Sequence, residues 1–214
     1  MWQLFLSSTL GTFVALFPIA NPVGAVPIFY SLTDGESTAY RCRLALWTAL
    51  NVVWVLIAFF LAGKFILSFF GISLGVLQIA GGLLVSQTAW EMLTVRPRLT
   101  SPESQEAADK HDISFTPMAV PLISGPGAIG VVIGISERSG TVMSYLGSLA
   151  AIVLLGILLY LMLALGEPLV KKLGSNGVGA LNRVLGFFIL AIAVQLIANG
   201  TFDLIRQSAP GLLR

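Results

Sequence analysis

Six stretches of this chain are long and apolar enough to cross hydrocarbon, and they leave little sequence for anything else. They fall at roughly 3–31, 44–70, 75–95, 115–136, 144–166 and 179–203, each at or above the ~20 residues that a bilayer core requires. Charged residues make up 10% of the 214 and hydrophobic ones 56%, against about 25% charged in a soluble domain. A chain so poor in charge cannot cover a water-facing surface. The fold class that follows is an all-α polytopic membrane protein, because a helix satisfies its backbone polar groups internally.

The same composition excludes several functions. A net charge of +2 gives no basic face for nucleic acid, so none is expected as a partner; the partner that composition does require is the lipid bilayer. The lone Cys42 rules out an internal disulfide and a CxxC redox pair. His111 sits alone in a polar loop, so no metal site and no cofactor are expected, and the scattered single acids form no catalytic cluster. An enzyme is not expected. The opening MWQLFLSSTLGTF lacks a positive region ahead of its apolar run, which marks it as a retained first helix rather than a signal peptide.

The polar stretch RPRLTSPESQEAADKHD, residues 96–112, divides a single membrane domain (1–214) into two sets of three spans, 1–95 and 113–214. With six spans, the loops after the first, third and fifth share one side. That side carries Arg41, Arg43, Arg96, Arg98, Lys110, Lys171, Lys172 and Arg183, while Lys64, Arg138, Arg206 and Arg214 fall on the other. The positive-inside rule makes the richer side cytoplasmic and puts both termini on the outer side.

The two halves resemble one another at an offset of about a hundred residues. PIANPVGAV (18–26) lies over PLISGPGAI (121–129), and Gly63 and Gly71 lie over Gly166 and Gly174. One residue further along, GVLQIAGGLL (75–84) lies over GALNRVLGFF (179–188), pairing Gln78 with Asn182 and Gly82 with Gly186. Three spans per half force the second copy into the membrane upside down. The architecture expected is six transmembrane helices as two inverted three-helix repeats, the plan of many secondary transporters.

Spans one and four carry more breakers than a continuous helix tolerates. Proline removes a backbone donor and disfavours helical geometry in the residue before it, while asparagine caps helix starts and proline suits the first helical position. Asn21–Pro22 therefore marks the start of a new half-helix. In SGPGAI, Ser124 or Gly125 can cap and Pro126 can begin the next one. Both spans are expected to break near the midplane. Such starts leave N–H groups with partial positive charge, tolerated only where protein or a water-filled cavity meets them.

The expected substrate site is thus Pro18, Asn21, Pro22, Gly24 and Ala25 from the first half with Pro121, Ser124, Gly125, Pro126, Gly127 and Ala128 from the second. Amides at the half-helix starts seat an anion, and carbonyls ending around Phe17–Ala20 and Pro121–Ile123 accept from an ammonium group or a cation. Donors beside acceptors with a small lining suit a compact zwitterion. Any coupling cation has to use these carbonyls, because the central thirds of the spans hold no ionisable residue. Glu91, Glu167, Lys64 and Asp203 lie at span ends, where they snorkel. Gln78, Gln87, Asn182, Gln195 and Asn199 are expected to bond between helices.

At NPVGAVPIF (21–29) and PLISGPGAI (121–129) the chain resembles the MarC family of bacterial inner-membrane proteins. Asn21, Pro22, Gly24, Pro27 and Phe29 carry the first motif, and Pro121, Leu122, Gly125, Pro126, Gly127, Ala128 and Ile129 the second. The likeness implies a multi-pass protein of the bacterial plasma (inner) membrane, grouped with amino-acid exporters of the LysE type. Family members have been associated with transport of small neutral amino acids such as glycine and alanine. The function expected is a secondary transporter, exporter or exchanger, of such substrates; a small-solute channel or a non-transporting membrane scaffold are the alternatives.

Overall fold

The computed structural model describes residues 1–94 and 112–208. The expected linker, with Arg96, Arg98, Lys110 and His111, lies outside the described residues apart from Asp112, as does Arg214. The described chain is helical throughout: α1 Trp2–Ala20, α2 Pro22–Leu32, α3 Thr38–Phe70, α4 Leu74–Leu93, an irregular α5 Ser114–Ile123, α6 Pro126–Arg138, α7 Val142–Leu165 and α8 Glu167–Ser208.

Side-chain caps set several of these starts. Ser37 accepts from Tyr40 N and Ser73 from Val76 N, while Thr141 and Ser144 form a reciprocal capping box. Gly71, at φ 64°, closes α3 in the left-handed conformation that lacks a steric penalty only for glycine. Ile72 N then reaches back to Leu67 O at 3.0 Å. The expected second span is therefore six residues longer at its start. The Ser37 cap lets helix form through Tyr40, Arg41 and Arg43, which charge counting places in a loop.

α1, α3, α7 and the Gly177–Ser208 part of α8 are long and apolar enough to cross a membrane, and α5 with α6 makes a fifth candidate span bent by 68°. α4 has 20 residues, but Gln78, Gln87 and Glu91 dilute its apolar character. In α5, Thr116 and Val120 have extended backbones, as residues before proline prefer. Wide i→i+5 bonds from Met118 N to Ile113 O and from Ser124 N to Ala119 O hold the segment together. α8 is interrupted at Gly174, φ 61°.

The first break falls where the sequence places it, between Ala20 and Pro22. α1 is 19 residues long and accommodates Pro18, so the chain is interrupted only at Asn21. α1 and α2 nevertheless follow one neighbour: a Cβ on Gly147 of α7 would meet Ser8 and Thr9, Thr12 Oγ1 meets Ser148 Oγ at 3.0 Å, and Tyr30 OH donates to Ala164 O at 3.4 Å. Together they run alongside α7 from its start to its end. α5 and α6 run likewise beside α3, from the Asn51–Ser114 bond at 3.3 Å to the contact of Gly63 with Ile133.

α7 is the core helix, burying Ala151, Ile152, Leu155, Leu159 and Leu163. Exposed Leu6, Leu10 and Val14 on α1, Trp54, Leu61 and Phe65 on α3, and Phe187 and Val194 on α8 form an outward apolar surface. Its extent identifies lipid as the solvent, since a water-soluble monomer rarely exposes so much. Charges gather at the ends. Arg41 pairs with Glu167 at 3.5 Å and lies over the Tyr30 ring, and Arg138 pairs with Asp203 at 3.6 Å. Gln87–Glu91 and Gln195–Asn199 bond within a helix, four residues apart, rather than between helices.

α4 and α8 cross through glycines. A Cβ on Gly82 would come within 2.6 Å of Ile197 Cγ1 and 2.9 Å of Ala193 O, and one on Gly186 would meet Met92 and Ala89. Small residues allow such approach where apolar burial gives no driving force. Replacing Gly82 with alanine is expected to lower the melting temperature in detergent, the cost of overpacking being about 1–3 kcal/mol. Gly11→Ala, with nothing within 4 Å of the new methyl, is expected to leave it unchanged or raise it. Size-exclusion thermal unfolding checks both.

Candidate functional site

The first break is built around Asn21. Its backbone takes φ 44°, ψ 63°, the left-handed region that asparagine tolerates better than other residues with a side chain. It ends α1 and caps α2, its Oδ1 accepting from Gly24 N at 3.0 Å, with Pro22 in the first helical position. Asn21 Nδ2 faces the Met92 sulfur at 3.5 Å. Pro22, Gly24 and Ala25 are buried here.

Gly24 cannot carry a side chain in this place. A Cβ would collide with the Asn21 amide and stand 3.0 Å from Asn182 Oδ1 on α8. That Asn182 oxygen is buried with no hydrogen-bond partner among the described residues. Sequence reasoning leaves Asn182 as a bond between helices; the fold instead places it as a spare acceptor beside the first break.

The second break has the predicted cap, Gly125 in extended geometry with Pro126 following, but a different chemistry. Among the described residues no side chain caps α6. Its first turn closes with Ile129 N on Gly125 O, so the Gly127 and Ala128 N–H groups have no partner within the helix. The Ser124 hydroxyl, fully buried, has no partner among the described residues. Of the carbonyls expected to serve a cation, Phe17 O is spent on Asn21 N.

The start of α6 opens onto a groove of about 320 Å³. One wall is the second break, with Pro121, Gly125, Pro126, Gly127 and Ala128; the other is α4, with Leu84, Gln87, Thr88 and Glu91, and Ile19 of α1 closes it. Gly127 brings the walls together, since a Cβ there would lie 2.8 Å from Val85 Cγ2. Glu91 accepts from Gln87 Nε2 at 3.3 Å. Of the residues expected in the site, five from the second half line this groove. Pro18 lines a separate apolar groove with Phe188, Ile192 and Gln195, while Asn21 and Ser124 are packed inside the protein. Ala20 and Ala25 share one buried cluster with Ile123 and Ala128, so the two breaks belong to the same core.

The α4 wall was not foreseen as part of the site. The four-residue spacing of Gln87 and Glu91 shows that they share a helix face, but nothing local says that the face meets the second break. Among the described residues no group of His, Cys, Asp and Glu is arranged to hold a metal ion.

The pattern of MarC family integral membrane proteins matches residues 6–205. A UPF0056 membrane protein of Pyrococcus abyssi is 36% identical over 189 residues, covering 88% of this chain and 91% of its own. The UPF0056 membrane protein YvbG of Bacillus subtilis is 31% identical, covering 88% and 91%. The UPF0056 inner membrane protein MarC of Escherichia coli is 30% identical over 219 residues, covering 96% and 99%. No solved structure matches the chain significantly. With the match extending over both breaks and every candidate span, the chain belongs to the MarC family of integral membrane proteins.

Proposed function

We propose that this protein is a secondary transporter, an exporter or exchanger, of small neutral amino acids such as glycine or alanine in the bacterial inner membrane. The observation that carries the reading is the uncapped start of α6, opening on a groove of about 320 Å³ that also bears a carboxylate. Free helix N–H groups bind anions. A pocket offering them opposite a negative side chain matches a molecule with both charges. The Escherichia coli relative's description as an inner membrane protein supports the location.

The architecture behind this reading is six spans in two inverted repeats, with α1–α2 and α5–α6 as the broken spans. Contacts that recur at one offset support it. Gly82 abuts Ala193 and Ile197, and Gly186 abuts Ala89 and Leu93, so each contact maps on its mate by the same shift of 104 residues. The two grooves follow suit: Leu84, Gln87, Thr88 and Glu91 in one correspond to Phe188, Ala191, Ile192 and Gln195 in the other. A pseudo-two-fold axis between α4 and α8 accounts for both. Alternating access then uses the axis, the two halves exchanging roles as one face closes and the other opens.

Orientation follows the Lys and Arg bias, with the Arg41–Glu167 face cytoplasmic and both termini outside. A Glu36→Cys variant in a Cys42→Ser background is expected to react with a membrane-impermeant maleimide in inverted vesicles and not in intact cells. Labelling from the outside reverses the assignment.

Purified protein in liposomes is expected to carry glycine or alanine with saturating kinetics. Flux that rises linearly with concentration indicates a channel, and no protein-dependent flux points to a scaffold. Asn21→Ala removes the cap of α2, worth about 1 kcal/mol, and the residue suited to the left-handed turn. Flux through this variant is expected to drop at least about tenfold, a factor that ~1.4 kcal/mol on the barrier supplies. Wild-type flux in folded Asn21→Ala protein would remove the break from the mechanism.

A further inference from the structure

We propose that the groove beside α6 is the amino-acid site and that it is polar in one direction: the substrate ammonium lies on Glu91 and its carboxylate on the free amides of Gly127 and Ala128. This deepens the transporter reading and rests on it for the substrate class. It departs from a symmetric site made of both breaks.

Three differences between the repeats carry the inference. The α2 start is already occupied, because Asn21 Oδ1 takes the Gly24 N–H at 3.0 Å. The α6 start has no such cap. An anion arriving at α2 has to displace a built-in acceptor, whereas at α6 it meets free donors. Secondly, the residue matching Asn21 in the second half is Ser124, whose buried hydroxyl has no partner among the described residues and sits between Ile123 and Gly125, both lining the groove. A donor-acceptor left unsatisfied in a protein interior costs stability, so the second break, unlike the first, is not satisfied by its own side chain.

The third difference is charge. The α6 groove holds Glu91, with Gln87 and Thr88 on the same wall. Its counterpart, about 450 Å³, has neutral Gln195 in the equivalent place, with Ala191 and Ile192 where the other has Gln87 and Thr88. A carboxylate is costly to desolvate unless a positive group meets it, so a ligand that closes over Glu91 has to bring one. Here Gln87 Nε2 supplies one neutral hydrogen bond at 3.3 Å, leaving acceptor capacity on a group that takes about four. An ammonium with three donors fits that capacity. Among the described residues no Lys or Arg lines the groove. The small residues Gly125, Gly127 and Ala128 keep the opposite wall close to the backbone, which favours a short side chain on the ligand.

Equilibrium binding of labelled glycine to the purified protein in detergent tests the site without requiring transport. Wild-type protein is expected to bind glycine, with unlabelled alanine displacing it well and propionate, which lacks the ammonium, displacing it poorly. Glu91→Gln keeps the shape and the Gln87 neighbour but removes the charge. It is expected to weaken glycine binding at least about tenfold, the scale of one charge-assisted hydrogen bond, and to erase the advantage of alanine over propionate. Glu91→Asp is expected to restore part of both, and Gln195→Ala in the other groove to change neither.

Absence of glycine binding by wild-type protein overturns the proposal. So does a Glu91→Gln protein that elutes as the wild type does and binds glycine with the same affinity and the same alanine-to-propionate ratio. Failure of the transporter reading looks different: binding that depends on Glu91, with no flux in liposomes.

Discussion

Every backbone amide placed in hydrocarbon has to find a partner inside the protein, and this single requirement organises the molecule. It makes the described chain helical from end to end. It also means that the two places where helices stop within apolar sequence, at Asn21 and at Ser124–Gly125, have to be surrounded by other protein. The remaining helices supply the surroundings: α7 alongside α1 and α2, α3 alongside α5 and α6, and α4 against α6. The apolar residues left over turn outward to lipid.

The two breaks meet the same requirement in different ways. Asn21 satisfies the α2 start with its own side chain and adopts a left-handed backbone to do so. The α6 start relies on Gly125, which has no side chain to offer, and the neighbouring Ser124 hydroxyl is buried with no partner among the described residues. One break is closed on itself. The other is incomplete and faces a groove that carries a carboxylate. Two breaks that look alike in sequence thus differ in chemistry.

Much of the fold was legible residue by residue. Pro22 and Pro126 at first helical positions, with Asn21 and Gly125 as caps, follow from the conformational limits of those residue types. Gly71 and Gly174 do adopt positive φ, as punctuation by glycine suggests. Some boundaries were not legible. Charge suggests the end of a helix, yet α3 begins at Thr38 and includes Arg41 and Arg43, because a capped helix end in the interfacial zone can carry arginines that reach water or a carboxylate such as Glu167. The first break lies where Asn21–Pro22 puts it, with Pro18 accommodated inside α1.

The sequence by itself determined the solvent, the helical class and the places where the backbone is interrupted, since these depend on composition, on span length and on what proline, glycine and asparagine allow locally. Only the tertiary structure decided which surfaces the interruptions meet. That α4 lays Gln87, Thr88 and Glu91 against the α6 start, and that Asn182 comes to Gly24, depends on helices far apart in the chain packing through Gly127, Gly82 and Gly186. Close approach of that kind is a property of two surfaces at once. No single stretch of residues encodes it.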